Sequence, residues 1–329
     1  GEMKSRAHLC VVACIILLLE LSGASAQSVT RQNSANRLIG EYVSVELYGG
    51  YLSGESTELV LDSGTGHVDS RLTWKINKAA VIGGSIAISP QPWMTFKASG
   101  WVPVSSVNTM DDFDYLVAGA DWSDHSHHDD TRLNHASSID LRLGLRFVTL
   151  PATKYFDNAS MRMIAGFRWY NVSWTAAGGS YIYSSGGGFR NDVGSFAAGT
   201  TVINYEQWMK TPFLGLGGTM DFGRWSIDGS VIGSLWGQGS DRDDHVLRTT
   251  VFTDEFSKVK MVGVDVALNY AMSERLTLFG RYEYQEYFEA QGPSTATNYS
   301  TGTVTHTVGN AAGMANYSMV LSLGVKGKL

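Results

Sequence analysis

The segment SDRDDHVL, residues 240–247, brings Asp241, Asp243, Asp244 and His245 into one short stretch. A second acidic stretch, MDDFDYL (110–116), holds Asp111, Asp112 and Asp114. A third, SDHSHHDD (123–130), places Asp124, His125, His127, His128, Asp129 and Asp130 around Ser126. On an extended backbone, residues two apart share a face. Asp112 and Asp114 then point together, as do Asp241, Asp243 and His245, while Arg242 and Asp244 turn away. Such groups suit hydrolysis without a covalent intermediate. A histidine held by a carboxylate keeps one tautomer and becomes a better base towards water. Two adjacent carboxylates resist double ionisation, so one can keep a proton and act as an acid or hold the water. Two acidic pairs facing across a groove would suit attack on a peptide bond.

Two rival readings stand beside this one. His125, His127 and His128 with their acidic neighbours could take zinc or calcium, but the spacing matches no structural-zinc pattern, and no metal is expected. From spacing alone, solvated loop charge is the simpler account, because acidic clusters are common in loops. Parity along SVIGSLWGQ is mixed, and Gly237 or Gly239 offers a place for a bulge that would decide which way the 241–245 triplet faces.

The elements that would position these residues read as strands. Ile139, Leu141, Leu143, Leu145 and Phe147 alternate with Asp140, Arg142, Gly144 and Arg146. Val262, Val264, Val266, Leu268 and Tyr270 form another such row, and Tyr317, Met319, Leu321, Leu323, Val325 and Leu329 a third. The pattern recurs in YVSVELYGGY (42–51) and RLTLFGRYEY (275–284). Period-two alternation gives strands with one apolar and one polar face.

A soluble sandwich would turn the apolar face inward, a membrane barrel outward. The N-terminus favours the barrel. Met3-Lys4-Ser5-Arg6, the apolar run 9–21 and Ala24-Ser25-Ala26 make a secretory leader over 1–26, leaving 27–329 as the barrel. A lipoprotein signal at Cys14 is disfavoured because the cysteine falls too early in the run. Both cysteines, Cys10 and Cys14, lie in the leader, so the exported part has no disulfide. The leader's Glu2 and Glu20 cancel Lys4 and Arg6, so the net charge stays at −6, with no basic surplus for nucleic acid.

The opposite strand face carries Arg142, Arg146, Asp265, Arg281 and Glu283, which suits a polar interior. Trp74, Trp93, Trp101, Trp169, Trp174, Tyr282, Tyr284 and Tyr287 are expected in interfacial girdles. The fold class is therefore all-β, an antiparallel transmembrane β-barrel, closed because a spanning sheet tolerates no free edge. The polar stretches 105–135, 151–160, 176–204, 237–258 and 288–315 read as long outer loops. Ile76-Asn77-Lys78, Asp221-Phe222-Gly223 and Met272-Ser273-Glu274 read as short turns.

Several segments carry a resemblance to the omptins, outer-membrane endopeptidases of Gram-negative bacteria. They are GGSYIYSSGGGFRNDVGSF (178–196), LTWKINKAAVIGG (72–84), DDTRLNHASSIDL (129–141) and SKVK (257–260), and the similarity covers nearly all of the exported chain in order. The resemblance implies about ten strands extending above the membrane, with the active site at the extracellular mouth. It implies an aspartic-type catalytic set of Asp112 and Asp114 on one side and Asp243 and His245 on the other. Asp243–His245 would activate water, and the aspartate pair would hold it and stabilise the oxyanion.

Cleavage next to basic residues is implied, with Glu58 and Asp241 as the acidic primary pocket and Asp124 a contact for the residue after the cut. Ser126 matches a family serine but is not assigned as nucleophile. Peptides or proteins with basic residues are the implied partners, and a monomer is the default. No cofactor is implied beyond lipopolysaccharide as an activating lipid. At the family's lipid-contact positions stand Phe167, Trp169, Asn171, Trp208 and Lys260, so that activation is expected to be altered, or to use Arg162 or Arg168. A non-catalytic omptin-like barrel acting as an adhesin is the alternative, and a porin a third reading that a narrow bore disfavours.

Overall fold

The structure, a computed structural model, describes residues 43–329; the leader expected over 1–26 lies outside the described residues. Twelve strands run β1 (Val43–Leu61), β2 (Val68–Gln91), β3 (Met94–Asp114), β4 (Asp124–Leu150), β5 (Asn158–Ala177), β6 (Ser180–Tyr183), β7 (Asp192–Ser195), β8 (Thr201–Phe222), β9 (Trp225–His245), β10 (Thr250–Ala271), β11 (Leu276–Asn298) and β12 (Thr303–Lys328). All pairings are antiparallel. Strands β6 and β7 form a short hairpin added to β4; the other ten close into a ring, because β1 pairs with β12 and β3 with β4. The expected ten-stranded barrel is what the chain forms.

A tilted strand needs only ~9–11 residues to span a bilayer. The strand β4 has 27, so much of the ring stands clear of lipid. The outer wall carries an exposed apolar belt that includes Ile86, Phe96, Ile139, Leu141, Leu214, Leu216, Val231, Leu268, Leu321 and Leu323. Inside the belt several charges are paired. Glu46 meets Lys97 at 3.0 Å and Arg281 at 2.8 Å, and Arg142 bridges Asp140 and Asp265. Buried charge is tolerated only when paired in this way.

Above this polar layer the interior changes character. Trp74, Trp174 and Tyr205 form a triangle of near-parallel rings, with centroids 5.8, 5.4 and 6.3 Å apart, and Tyr170, Tyr287, Met110, Met209 and Phe213 fill the surrounding space. This corrects the girdle assignment. Trp74, Trp101, Trp174 and Tyr287 are buried inside the bore, while Trp93, Trp169 and Tyr282 face outward. The aromatic layer fills the bore and forms a floor for whatever sits above it.

Most of the stretches read as long loops are strand. Residues 105–114, 124–135, 237–245, 250–258, 288–298 and 303–315 continue the ladders above the belt. Once past the lipid, the outer face is free to be polar, and a strand there no longer carries the alternation that identifies it. Ile76-Asn77-Lys78 is not a turn but an irregularity within β2, where the register with β3 shifts. The 151–157 connection falls at the opposite end from the acidic clusters. There Asp157 Oδ2 accepts from the Gly223 amide at 2.6 Å, beside the short turns after Phe222 and Ala271.

Candidate active site at the barrel mouth

The direction in which Asp241, Asp243 and His245 point is set by two facing bulges. In lower β9 the odd residues Ile227, Val231 and Leu235 face out, and Ser230, Ile232 and Ser234 face in. The β9–β10 register then jumps from Gly237↔Val259 to Ser234↔Met261, leaving Leu235 and Trp236 both exposed. Parity reverses, and Asp241, Asp243 and His245 turn inward while Arg242 is exposed. On β10, Lys258 takes φ 61 and breaks the ladder in the same place, so Phe256 and Asp254 also turn inward. At Gly239, the inward-facing position before the acids, the end of the Met314 side chain occupies the space a Cβ would take. Strand β3 has its own shift between Pro103 and Ser105, after which Met110, Asp112 and Asp114 lie on the inner side.

At this end of the bore the residues singled out in the sequence converge from four strands. His245 Nε2 lies 2.5 Å from Asp243 Oδ2. At this distance the two groups form an ion pair whenever the imidazole is protonated. Burial is the largest single influence and lowers His245, but the charge of Asp243 and its hydrogen bonding to the ring together outweigh it and raise the imidazole above its ordinary value. Across the mouth, Ser70 Oγ donates to Asp112 Oδ1 at 3.0 Å. Burial, then the charge of Asp114, push Asp112 up to about 7. Asp114 is raised too, by burial first. The two half-sites feel each other, since the charge of His245 lowers Asp112 and that of Asp112 raises His245.

Below the dyad lie Glu58 on β1 and Asp241, 2% and 3% exposed. Glu58 Oε2 and Asp241 Oδ1 have no hydrogen-bond partner. Both are held well above the carboxylate range, by burial and then by neighbouring acids: Asp243 and Asp241 act on Glu58, and Asp254 acts on Asp241. Three further residues here went unread in the sequence. Tyr205 donates to Asp241 Oδ2 at 2.9 Å and accepts from Gln207 Nε2 at 2.7 Å, and Gln207 also reaches the Thr57 carbonyl. Asp254 lies opposite Asp241 on β10, 4% exposed. It fell in a stretch read as loop; its signal was its shared parity with Phe252 and Phe256, legible only once the stretch is known to be strand.

The histidine cluster divides between the two faces. His125 and His127 lie on the outer side and share Asp111 Oδ1 at 3.0 and 2.7 Å. His128 is fully buried on the inner side. Its Nδ1 donates to the Gly178 carbonyl at 2.6 Å, leaving Nε2 to accept from Ser126 Oγ at 3.0 Å. Gly178 and Gly179 both have positive φ, and the turn they make brings β6 against β4. Ser126 thus has a base contact, yet both partners are buried, which denies its hydroxyl access to a substrate carbonyl. Among the described residues no group of three or more His, Cys, Asp or Glu is arranged to hold a metal ion. Asp124 is engaged by its own chain: Ser123 Oγ donates to Oδ2 at 2.6 Å and the Ser184 amide to Oδ1 at 2.8 Å.

The basic residues suggested for lipid contact are corrected by the structure. Arg168 points inward to Asp140 and Gln285, and Arg162 to Asp228, so neither reaches the outer wall. Phe167 and Trp169 lie side by side, 4.2 Å between centroids, and Trp169 faces outward. The exposed cations in this region are Lys210, Lys258 and Lys260.

A chain built this way has counterparts. The plasminogen activator of Yersinia pestis is 30% identical over 96% of this chain and 97% of its own length. The outer membrane protease OmpP of Escherichia coli K12 is 31% identical over 94% of this chain and 98% of its own. The crystal structure of the outer membrane protease OmpT from Escherichia coli superposes with a TM-score of 0.83 at 27% identity, covering 93% of this chain and all of that one. These relatives share the whole barrel and not a fragment of it, which places this protein in the outer membrane. The model of the omptin family matches residues 39–329, the whole ring with the acids at its mouth, and the chain belongs to that family.

Proposed function

We propose that the protein is an outer-membrane endopeptidase that cleaves peptide bonds next to basic residues by activated water, at a mouth facing the cell exterior. The observation that carries the reading is the pairing of two inward half-sites, Asp112 with Asp114 and Asp243 with His245, above two buried acids, Glu58 and Asp241. The relatives named as outer membrane proteases support the reaction class.

In this reading His245 takes a proton from a water, and Asp243 stabilises the imidazolium. The hydroxide attacks the scissile carbonyl. Asp112, which near neutrality still holds a proton, donates a hydrogen bond to the oxyanion, with Asp114 holding the water. Collapse breaks the C–N bond, and the proton on His245 passes to the leaving amine. The net change is one water added across the peptide bond. A lysine or arginine side chain before the cut would lie against Glu58 and Asp241, where charge and hydrogen bonding favour it over neutral or acidic side chains. Asp124 would meet the residue after the cut only by releasing its present partners. The protein acts as a monomer, and no cofactor enters the chemistry.

Lipopolysaccharide dependence is proposed to be altered, because aromatic and amide side chains stand where the family's lipid contacts are expected, and Lys260 alone keeps a basic one. The test uses refolded protein and a quenched peptide containing Arg-Arg, with and without lipopolysaccharide. Wild type is expected to cut between the arginines, and Asp112→Ala and His245→Ala to be inactive yet folded. A correctly folded wild type that cuts no basic peptide would favour a non-catalytic adhesin. Complete loss of activity without lipopolysaccharide would overturn the altered dependence.

A further inference from the structure

The acidic pocket contains one carboxylate more than the proposed reading uses. The strand β10 carries Asp254 in register with Asp241 of β9. The kink at Lys258 turns Phe252, Asp254 and Phe256 to the inner side, so the ladder neighbours Asp241 and Asp254 project into the same space. Asp254 is 4% exposed, and its Oδ1 has no hydrogen-bond partner. The same is true of one oxygen each on Glu58 and Asp241. Asp254 stands level with Asp241 and not with the dyad, since Asp243 pairs with Phe252 and His245 with Thr250.

Three buried carboxylates, each with an unpartnered oxygen, cannot all ionise in an empty pocket. A cation entering among them relieves the repulsion and supplies the missing donors. An ammonium brings three N–H groups and a guanidinium five, enough to reach all three acids. We propose that Asp254 is a specificity-determining residue, the third carboxylate of a pocket that takes a lysine or arginine side chain on Glu58, Asp241 and Asp254 together. This rests on the reading of Glu58 and Asp241 given above. Binding is then accompanied by proton release, as the acids ionise around the guest. The raised carboxyls of all three residues agree with this, burial being the first cause in each.

The experiment measures equilibrium binding without catalysis. Peptides carrying arginine, lysine or citrulline before the cut are titrated into His245→Ala protein, alone and combined with Asp254→Asn. Asp254→Asn is expected to weaken the arginine and lysine peptides about tenfold and to leave the citrulline peptide unchanged. Equal weakening of all three, or no change for the basic peptides, overturns the proposal. Asp254→Glu and Asp254→Gln provide a second pair of matched shape: Glu keeps the preference for arginine over citrulline and Gln loses it, and equal behaviour of the two overturns the proposal as well. Failure of the wild type to cleave peptides would sink the proteolytic reading but leave this binding test intact.

Discussion

Asp241 and Asp254 face each other across the β9–β10 ladder, both inside the bore and both nearly inaccessible to water. The barrel has placed like charges where they repel, directly above a floor of stacked aromatics. Such an arrangement costs stability while the pocket is empty and becomes favourable when a cation occupies it.

The cost should be visible as a pH dependence. Glu58, Asp241 and Asp254 are all raised, each by burial first. They bind protons more tightly in the folded chain than in the unfolded one. Their contribution is therefore full below the unfolded carboxylate value of about 4 and is lost as pH rises through the folded values. Asp112 adds to this loss up to about 7. The melting temperature of peptide-free protein should fall between about pH 5 and about pH 8, and fall less in Asp241→Asn. A flat profile would contradict the crowding of acids.

Activity should follow a bell centred near neutrality. In the proposed mechanism His245 is a base only when unprotonated, and its raised value sets the acid limb. Asp112 donates only while protonated, so its value of about 7 sets the alkaline limb. Because the charges of His245 and Asp112 act on each other, the two limbs belong to the pair and not to either residue alone. Asp112→Asn cannot ionise; it should cut kcat/KM by about a hundredfold or more and flatten the alkaline limb. An unchanged alkaline limb in this variant would remove Asp112 from the acid role.

Removing either member of the dyad should abolish turnover without unfolding the ring. His245→Ala and Asp243→Asn are expected to lose about two to four orders of magnitude in kcat/KM. Circular dichroism and resistance to added protease should stay as in the wild type. Activity in Ser126→Ala is expected to persist at a reduced level, because Ser126 and His128 hold the β4–β6 contact and do not attack. Complete inactivity of a folded Ser126→Ala protein would reopen the nucleophile reading.

The facing bulges make a more severe prediction. Lys258→Val, a branched side chain that resists the positive φ of the bulge, should favour an unbroken β10 ladder at unchanged length and so send Phe252, Asp254 and Phe256 outward. The lower barrel, whose register lies beyond the bulge, should still insert and resist unfolding. Peptide cleavage should disappear. Retention of full activity would mean that the bulge does not set the direction of these side chains.

Trp74 couples the floor to the pocket. It is fully buried and stacked on Tyr205, whose hydroxyl holds Asp241. Trp74→Ala should destabilise the protein by about 3–5 kcal/mol. It should also raise KM for basic peptides more than it lowers kcat, since the chemistry sits higher. Steady-state kinetics on the folded fraction would separate the two, and a pure kcat effect would contradict this coupling.

Alternation in the segments 139–147, 262–270 and 317–325 was enough to read an outward apolar belt, because lipid imposes it on every strand that crosses. The spacing in DFD and DDH likewise put Asp112 with Asp114, and Asp243 with His245, on common faces, since period two is a property of any strand. The resemblance carried by 178–196 and the other matching segments supplied the ring of ten and Glu58, which no local pattern marks as partner to an acid far along the chain. What the sequence could not decide by itself was direction. Whether Asp241, Asp243 and His245 face the bore depends on one extra residue near Trp236 and on the left-handed turn of the backbone at Lys258, and a bulge leaves no periodic trace. Nor did it separate the girdle tryptophans from Trp74 and Trp174, because inside and outside of a closed ring are both places for an aromatic. Only the β9–β10 register, with its bulge on each strand, brought Asp254 level with Asp241 beneath the dyad, by pairing two strands whose acids had read as loop charge.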